Sequence, residues 1–278
     1  MQRTVDSTRR FAARVVVVTG GGSGIGAAAC RGFAAEGGRV AVLGRNAGRA
    51  KGVAEACDGE ARAYACDVAD PAVVRDVFER IAADLGEVEV LVNSAGIARR
   101  DQATQDRMLA QVSAVASGGE RGGMGATAGL GDEDWDRMIR VHLYGTFHCT
   151  REALKTMEPR RRGAIVNLTS VAALRGLRGA PDYSAAKGAI IGFTRSVAGE
   201  VAGAGIRVNA IAPGNIRTPM NEELLEDPDY EQMYLDGTPY GRVGMVADIA
   251  PLAVFLASDA AVYIHGESIL VDGGWAAR

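Results

Sequence analysis

Seven short runs in this chain are rich in β-branched and other apolar residues, and most lack the regular in-out alternation of a strand with one wet face. They are "RVVVVTG" (14–20), "RVAVLG" (39–44), "ARAYAC" (61–66), "VEVLVNSAG" (88–96), "GAIVNLTS" (163–170), "IRVNAIAPG" (206–214) and "SILVDGG" (268–274). A strand open to water on one side alternates polar and apolar residues, whereas a strand covered on both sides stays apolar. Between the runs lie helical patterns near 25–36, 47–57, 71–84, 132–158, 182–204 and 246–258. This βαβα order predicts an α/β fold, a doubly wound parallel sheet of about seven strands with helices on both faces. With 278 residues, 47% of them hydrophobic, the chain has the material for one such core. We place that single domain at 14–278, behind a polar N-terminal tail at 1–13.

Doubly wound sheets bind ligands beyond the carboxyl ends of their strands, and the motifs of this chain fall there. The first run leads through "TGGGSGIG" into the first helix, with glycines at Gly20, Gly24 and Gly26 around Ser23 and Ile25. Glycine lets the backbone turn tightly and approach a pyrophosphate, and a helix start offers free N–H donors to it. This is a dinucleotide cradle. The second run ends "VAVLGRN", with Gly44 where an acid would bind a ribose 2′-hydroxyl and Arg45 just after it. A guanidinium holds a 2′-phosphate and a carboxylate repels one, which favours NADP(H), with NAD(H) as the alternative. Asp67, after the third run, is placed either for the adenine edge or as the cap of a turn.

Composition narrows the rest. The net charge of -3 carries no basic footprint for a nucleic acid. No apolar run approaches the roughly 18 residues of a membrane span. Cys30, Cys57, Cys66 and Cys149 form no CxxC pair, and His142, His148 and His265 form no HExxH pattern, so no metal site is expected. Free thiols and the lack of an apolar leader point to a cytoplasmic protein.

The chain also avoids lysine. Of 31 basic residues, only Lys51, Lys155 and Lys187 are lysines. Lys187 lies four residues after Tyr183 in "YSAAK", on one face of a predicted helix. Upstream, just past the fifth run, lies Ser170. With the order glycine turn, "NSAG" (93–96), Ser170, "YSAAK", "PGNIRTPM" (213–220) and "ILVDGGW", the chain resembles the short-chain dehydrogenase/reductase family from Arg14 to Trp275. Within it, the 3-oxoacyl-thioester reductases and the alcohol dehydrogenases are the similar members.

The resemblance implies a Rossmann-type domain and hydride transfer between a nicotinamide nucleotide and a ketone or secondary alcohol, the alternatives being an NAD-linked secondary alcohol dehydrogenase and a catalytically weak nucleotide-binding regulator. It implies Tyr183 as general acid and base, Ser170 as hydrogen-bond partner of the substrate oxygen, and Lys187 as holder of the nicotinamide ribose. A phenol titrates near ~10, and a neighbouring lysine cation would lower that value. It adds Val68, Asn93, Ala95, Gly96, Pro213, Gly214, Ile216 and Thr218 to the cofactor contacts. A homotetramer is implied, with a dimer as the fallback.

Two features depart from the family. His142 stands where a fourth catalytic residue, an asparagine, is usual, and we expect it to join the proton relay, since histidine titrates near neutral pH. Ser94 replaces an asparagine, with little consequence expected. Between these points lies a glycine-rich insertion at about 99–131. It reads as a helix at 101–116, with Met108, Leu109, Val112 and Val115 on one side, followed by a loose segment. It is either a flap over the site or a surface elaboration.

Overall fold

A computed structural model describes residues 9–98, 106, 110, 118 and 123–277. Its sheet holds β1 (Val15–Thr19), β2 (Arg39–Gly44), β3 (Ala61–Ala65), β4 (Val88–Asn93), β5 (Gly163–Leu168), β6 (Ile206–Pro213) and β7 (Ser268–Val271). The order is β3-β2-β1-β4-β5-β6-β7, with every neighbouring pair parallel. Chain direction across the sheet reverses between β1 and β4, which opens a crevice at their carboxyl ends.

The period-two geometry of a strand sends successive side chains to opposite faces. In β1, Val16 and Val18 join one apolar cluster, and Val15 and Val17 join the other. The first cluster is closed by α1 (Gly24–Ala35) and α10 (Val246–Ala257), with Cys30, Phe33, Ile249 and Val254 inside. The second is closed by α3 (Pro71–Asp84), α5 (Gly145–Arg160) and α7 (Pro181–Val201), with Phe78, Ile81, Met157 and Val197 inside. Both faces are covered, so unbroken apolar runs were the right signal. The remaining helices are α2 (Ala47–Glu55), α4 (Asp132–Ile139), α6 (Ala172–Arg175), α8 (Glu222–Leu225) and α9 (Pro228–Gly237).

One expectation needs correction. The tail does not extend to residue 13: Phe11 is fully buried against Phe33, ring centroids 4.8 Å apart, and Arg10 pairs with Glu36 at 2.5 Å. An aromatic side chain that buries its whole ring outweighs the polar residues around it. The helix expected at 132–158 is present as one continuous run from Asp132 to Arg160, with a π-turn at Arg140–Tyr144 that contains His142. The expected helix at 101–116 lies almost wholly outside the described residues, and 123–131 carries only turns.

Candidate active site

The glycine turn is built by close approach. Gly20 sits at φ +64°, and a Cβ there would lie 2.8 Å from the Ala95 backbone. A Cβ on Gly26 would lie 2.4 Å from the Gly20 carbonyl, so turn and helix can fold together only without side chains. Thr19 holds the facing loop by accepting from the N–H groups of Ser94 and Ala95, both at 3.0 Å. Ser23 caps α1 in backbone geometry with its hydroxyl uncommitted to the helix. The first-turn N–H groups of α1 therefore remain for a ligand. These residues fit a dinucleotide pyrophosphate.

From the turn runs a cleft of about 370 Å³. Of the residues expected from sequence, Gly20, Ser23, Gly24, Ile25, Gly96, Pro213, Gly214, Ile216 and Thr218 line it, together with Ser170, Tyr183, Lys187 and His142. Others support it from behind. Asn93 donates to Asn167, its register partner on β5, at 2.9 Å and to Thr150 at 3.1 Å. Asn167 in turn donates to Thr194 on α7 at 2.9 Å, so the sheet and α7 are locked by a buried polar chain. The Val68 carbonyl bonds His148 at 3.0 Å. Asp67 accepts from the N–H of Ala69 at 3.0 Å, the turn-cap reading of that residue. Arg45 is exposed outside the cleft wall.

Tyr183 and Lys187 do share a face of α7. The Lys187 ammonium sits 5.7 Å from the centre of the Tyr183 ring and donates to the Leu168 carbonyl at 2.7 Å. Thr169 adds a bond to the Lys187 carbonyl at 2.7 Å. The charge states differ from expectation. Burial pushes the Tyr183 phenol above its ordinary value, and a hydrogen bond with Ser170 opposes this only partly. Lys187 is 5% exposed, and burial pushes its ammonium down to about 7. The lysine therefore does not dominate the phenol: desolvation, which disfavours charge on either group, outweighs their attraction.

His142 also differs. Its ring stands edge-on to Tyr183 at 5.3 Å between centroids. Its Nε2 lies 3.0 Å from the Ile97 N–H and 2.9 Å from the Ile97 carbonyl. It is 1% exposed, and burial, then the nearby Lys187 charge, lowers its pKa to about 3. The ring is neutral throughout the physiological range, so titration near pH 7 is not its role. Its Nδ1 is buried with no partner among the described residues. A Cβ on Gly96 would fall 2.6 Å from the ring, so that glycine is needed to admit it.

Sequence reasoning missed several groups in the same cleft. Asn221 ties the segment after β6 together, accepting from the N–H of Thr218 at 2.9 Å and donating to the Ile216 carbonyl at 3.0 Å. Tyr230 and Tyr234 on α9 contribute hydroxyls 3.2 Å apart. Asp182 and Arg178 also line the cleft. Only the position of Asp182 beside Tyr183 hinted at any of these.

Comparison with known proteins gives the family. A family model described as short chain dehydrogenase matches residues 14–229. The 3-oxoacyl-(acyl-carrier-protein) reductase FabG of Thermotoga maritima is 36% identical, over 95% of this chain and 98% of that protein. The D-threitol dehydrogenase of Mycolicibacterium smegmatis is 35% identical, over 98% and 96%. Among solved structures, levodione reductase superposes with a TM-score of 0.83 at 31% identity, over 96% of this chain and 99% of that one.

Proposed function

The chain belongs to the short-chain dehydrogenase family, and from that premise we propose that it transfers a hydride between NADP(H) and a ketone or secondary alcohol, with Tyr183 as general acid and base. The observation that carries the reading is the convergence of Ser170, Tyr183 and Lys187 in one cleft with the glycine turn. A nicotinamide nucleotide, when bound, supplies or accepts the hydride.

The chain's own residues do the rest. Gly20, Ser23, Gly24, Ile25 and Gly26 would cradle the phosphates. Gly96, Pro213, Gly214, Ile216 and Thr218 would enclose the nicotinamide half, with Asn93, Ala95 and Val68 supporting from behind. Tyr183 stays protonated at neutral pH, since burial raises its pKa, and is set to donate its proton to a substrate oxygen. Ser170 shares that oxygen and steadies the charge developing on it. Lys187, near its midpoint at neutral pH, is placed to pass or take a proton behind Tyr183. His142 acts as a neutral positioning ring. Its unpartnered Nδ1 is a seat for a relay water, and its Nε2 fixes the loop at Ile97. Arg45 would meet the 2′-phosphate.

Oligomerisation follows the same reading. Tyr144 and Phe147 are 49% and 41% exposed on the α4–α5 surface, and Tyr263 and Leu270 are 100% and 40% exposed along the C-terminal edge. Two such faces suit a homotetramer, and one suits a dimer. No described helix is long and apolar enough to cross a membrane, and a cytoplasmic location remains our expectation.

The test is a fluorescence titration with NADPH and NADH on the wild type and Arg45→Asp. NADPH should bind more tightly to the wild type. The substitution should weaken it roughly ten- to a hundredfold, the worth of a charge-assisted hydrogen bond, with little effect on NADH. Equal or tighter NADH binding by the wild type would overturn the NADP(H) assignment and leave an NAD-linked dehydrogenase.

A further inference from the structure

Past β7 the chain reads "DGGW", and this segment turns against the catalytic cleft. Asp272 sets the turn: its carboxylate accepts from the N–H groups of Gly274 at 2.9 Å and Ala276 at 2.8 Å. Gly273 and Gly274 both take left-handed φ angles, +63° and +83°. A Cβ on Gly273 would lie 2.7 Å from the Thr238 methyl, so the turn fits beside the end of α9 only without a side chain. The chain then makes a short helical turn at Trp275–Ala277, and the half-buried Trp275 lines the cleft.

Trp275 is not on a loose tail. The Tyr240 N–H, just past α9, donates to the Gly273 carbonyl at 3.0 Å. The Arg175 guanidinium, at the end of α6, donates to the Ala276 carbonyl. The loop that follows Arg175 also lines the cleft, and it is pinned where the Leu177 N–H donates to the Ser184 hydroxyl at 2.9 Å. Three separated parts of the chain are thus stitched into one wall. Its apolar members, Leu177, Met220, Leu224 and Trp275, have no part in the nucleotide cradle or the proton chemistry. They are what the substrate's own substituents would meet. Space there is short: the cleft of about 370 Å³ is near the small end of ligand sites, roughly 300 to 1,000 Å³, and the nicotinamide half of the nucleotide would share it.

Resting on the oxidoreductase reading, we propose that Trp275 is a specificity residue that closes the substrate side of the cleft and limits the girth of the substituent beside the reacting carbon, and that Arg175 is the positioning residue that holds it there through the Ala276 carbonyl. An indole clamped at its backbone on two sides cannot swing away to admit a wider group. A narrow substituent fits beneath it, and a wide rigid one meets it.

The experiment compares two methyl ketones of different girth, butan-2-one and 1-(naphthalen-2-yl)ethanone, with NADPH and with NADH. The readout is the ratio of their kcat/KM values, wide over narrow. Trp275→Ala should raise that ratio roughly tenfold or more, because even one surplus methylene against a fixed wall costs about that factor. Trp275→Phe should raise it less. Arg175→Ala should move it in the same direction, and Arg175→Lys, which can still donate to the Ala276 carbonyl, should keep the wild-type ratio. Should Trp275→Ala fail to fold, Trp275→Phe and Arg175→Ala carry the same comparison. A merely structural role would slow both ketones together, and an unchanged ratio would overturn the proposal. A lowered ratio would overturn it too, since the indole would then be a platform for the wide group. A second readout needs no turnover. With oxidised nucleotide present, 1-(naphthalen-2-yl)ethanol should raise the Tm of Trp275→Ala more than that of the wild type, while butan-2-ol shifts both alike. If no variant reduces either ketone with either nucleotide, the oxidoreductase reading falls, and the Tm comparison decides the wall: equal shifts with the naphthyl alcohol would overturn it.

Discussion

The catalytic cleft and the surface beyond β2 are built on opposite principles. In the cleft, Lys187 and His142 are 5% and 1% exposed, and their pKa values are displaced to about 7 and about 3. Outside the cleft wall, beyond β2, Arg45 and Arg49 stand in solvent. Water screens the second pair and barely reaches the first. Each polar group at the buried end is therefore held by its surroundings and is costly to change. Each group at the exposed end is screened by water and can be exchanged without disturbing its neighbours. Chemistry should be rigid at one end, and cofactor preference adjustable at the other.

The largest expected effect tests the rigid end. Tyr183→Phe removes one oxygen and keeps the ring against His142. Loss of a general acid lowers kcat by roughly 10²- to 10⁴-fold. Nucleotide affinity, measured by fluorescence titration, should stay within a few-fold, since the cradle is untouched. Residual turnover above a tenth of wild type would show that another group protonates the substrate and would break the contrast between the two ends.

The next effect is on stability. His142 has a folded pKa of about 3, below its ordinary value near 6.5. Between those values the unfolded chain binds a proton that the folded chain refuses, so stability falls as pH drops from 6.5 toward 3. Lys187 behaves the same way in its own window. Its folded value of about 7 lies below 10.5, so stability should climb as pH rises from 7 toward 10. Urea midpoints across pH should show both slopes in the nucleotide-free protein. His142→Asn should flatten the acid slope, and Lys187→Met the alkaline one. An unaltered acid slope in His142→Asn would mean that the ring is not the buried neutral group described here. If His142→Ala, which offers a water no partner, keeps the wild-type pH–rate profile, the relay role proposed for His142 falls.

The same contrast explains what the sequence could reveal. The strands were legible because burial on both faces leaves no alternation to misread, Tyr183 and Lys187 because a fixed helical spacing puts them on one face, and Ser170 because it follows an apolar strand at the carboxyl edge of the sheet. Phe11 was not legible, since its partner Phe33 lies on another element and no local period announces the contact. The π-turn around His142 was hidden for a similar reason: one extra residue in a turn leaves the apolar pattern almost unchanged. Charge states were the furthest from reach. Sequence pairs Tyr183 with a cation, whereas only the packing shows that both are too dry for the cation to win.

The exposed end gives the smallest effect and an ambiguity that sequence alone would miss. Asn46 caps α2 by accepting from the N–H of Arg49 at 2.9 Å, which fixes Arg49 in the first turn. There the Arg49 Cβ lies 3.3 Å from where a Cβ on Gly22 would stand, next to the glycine turn. Arg49 is thus a second candidate for the 2′-phosphate. Arg49→Ala should weaken NADPH only a few-fold, and less at high salt, because an exposed ion pair contributes about 0.2–1 kcal/mol. The double variant with Arg45→Ala separates two arrangements. If both guanidiniums share one phosphate, the combined loss will differ from the sum of the single losses, since groups on a common partner are coupled. If the losses add, only one of them touches the phosphate and the other acts through its field at a distance.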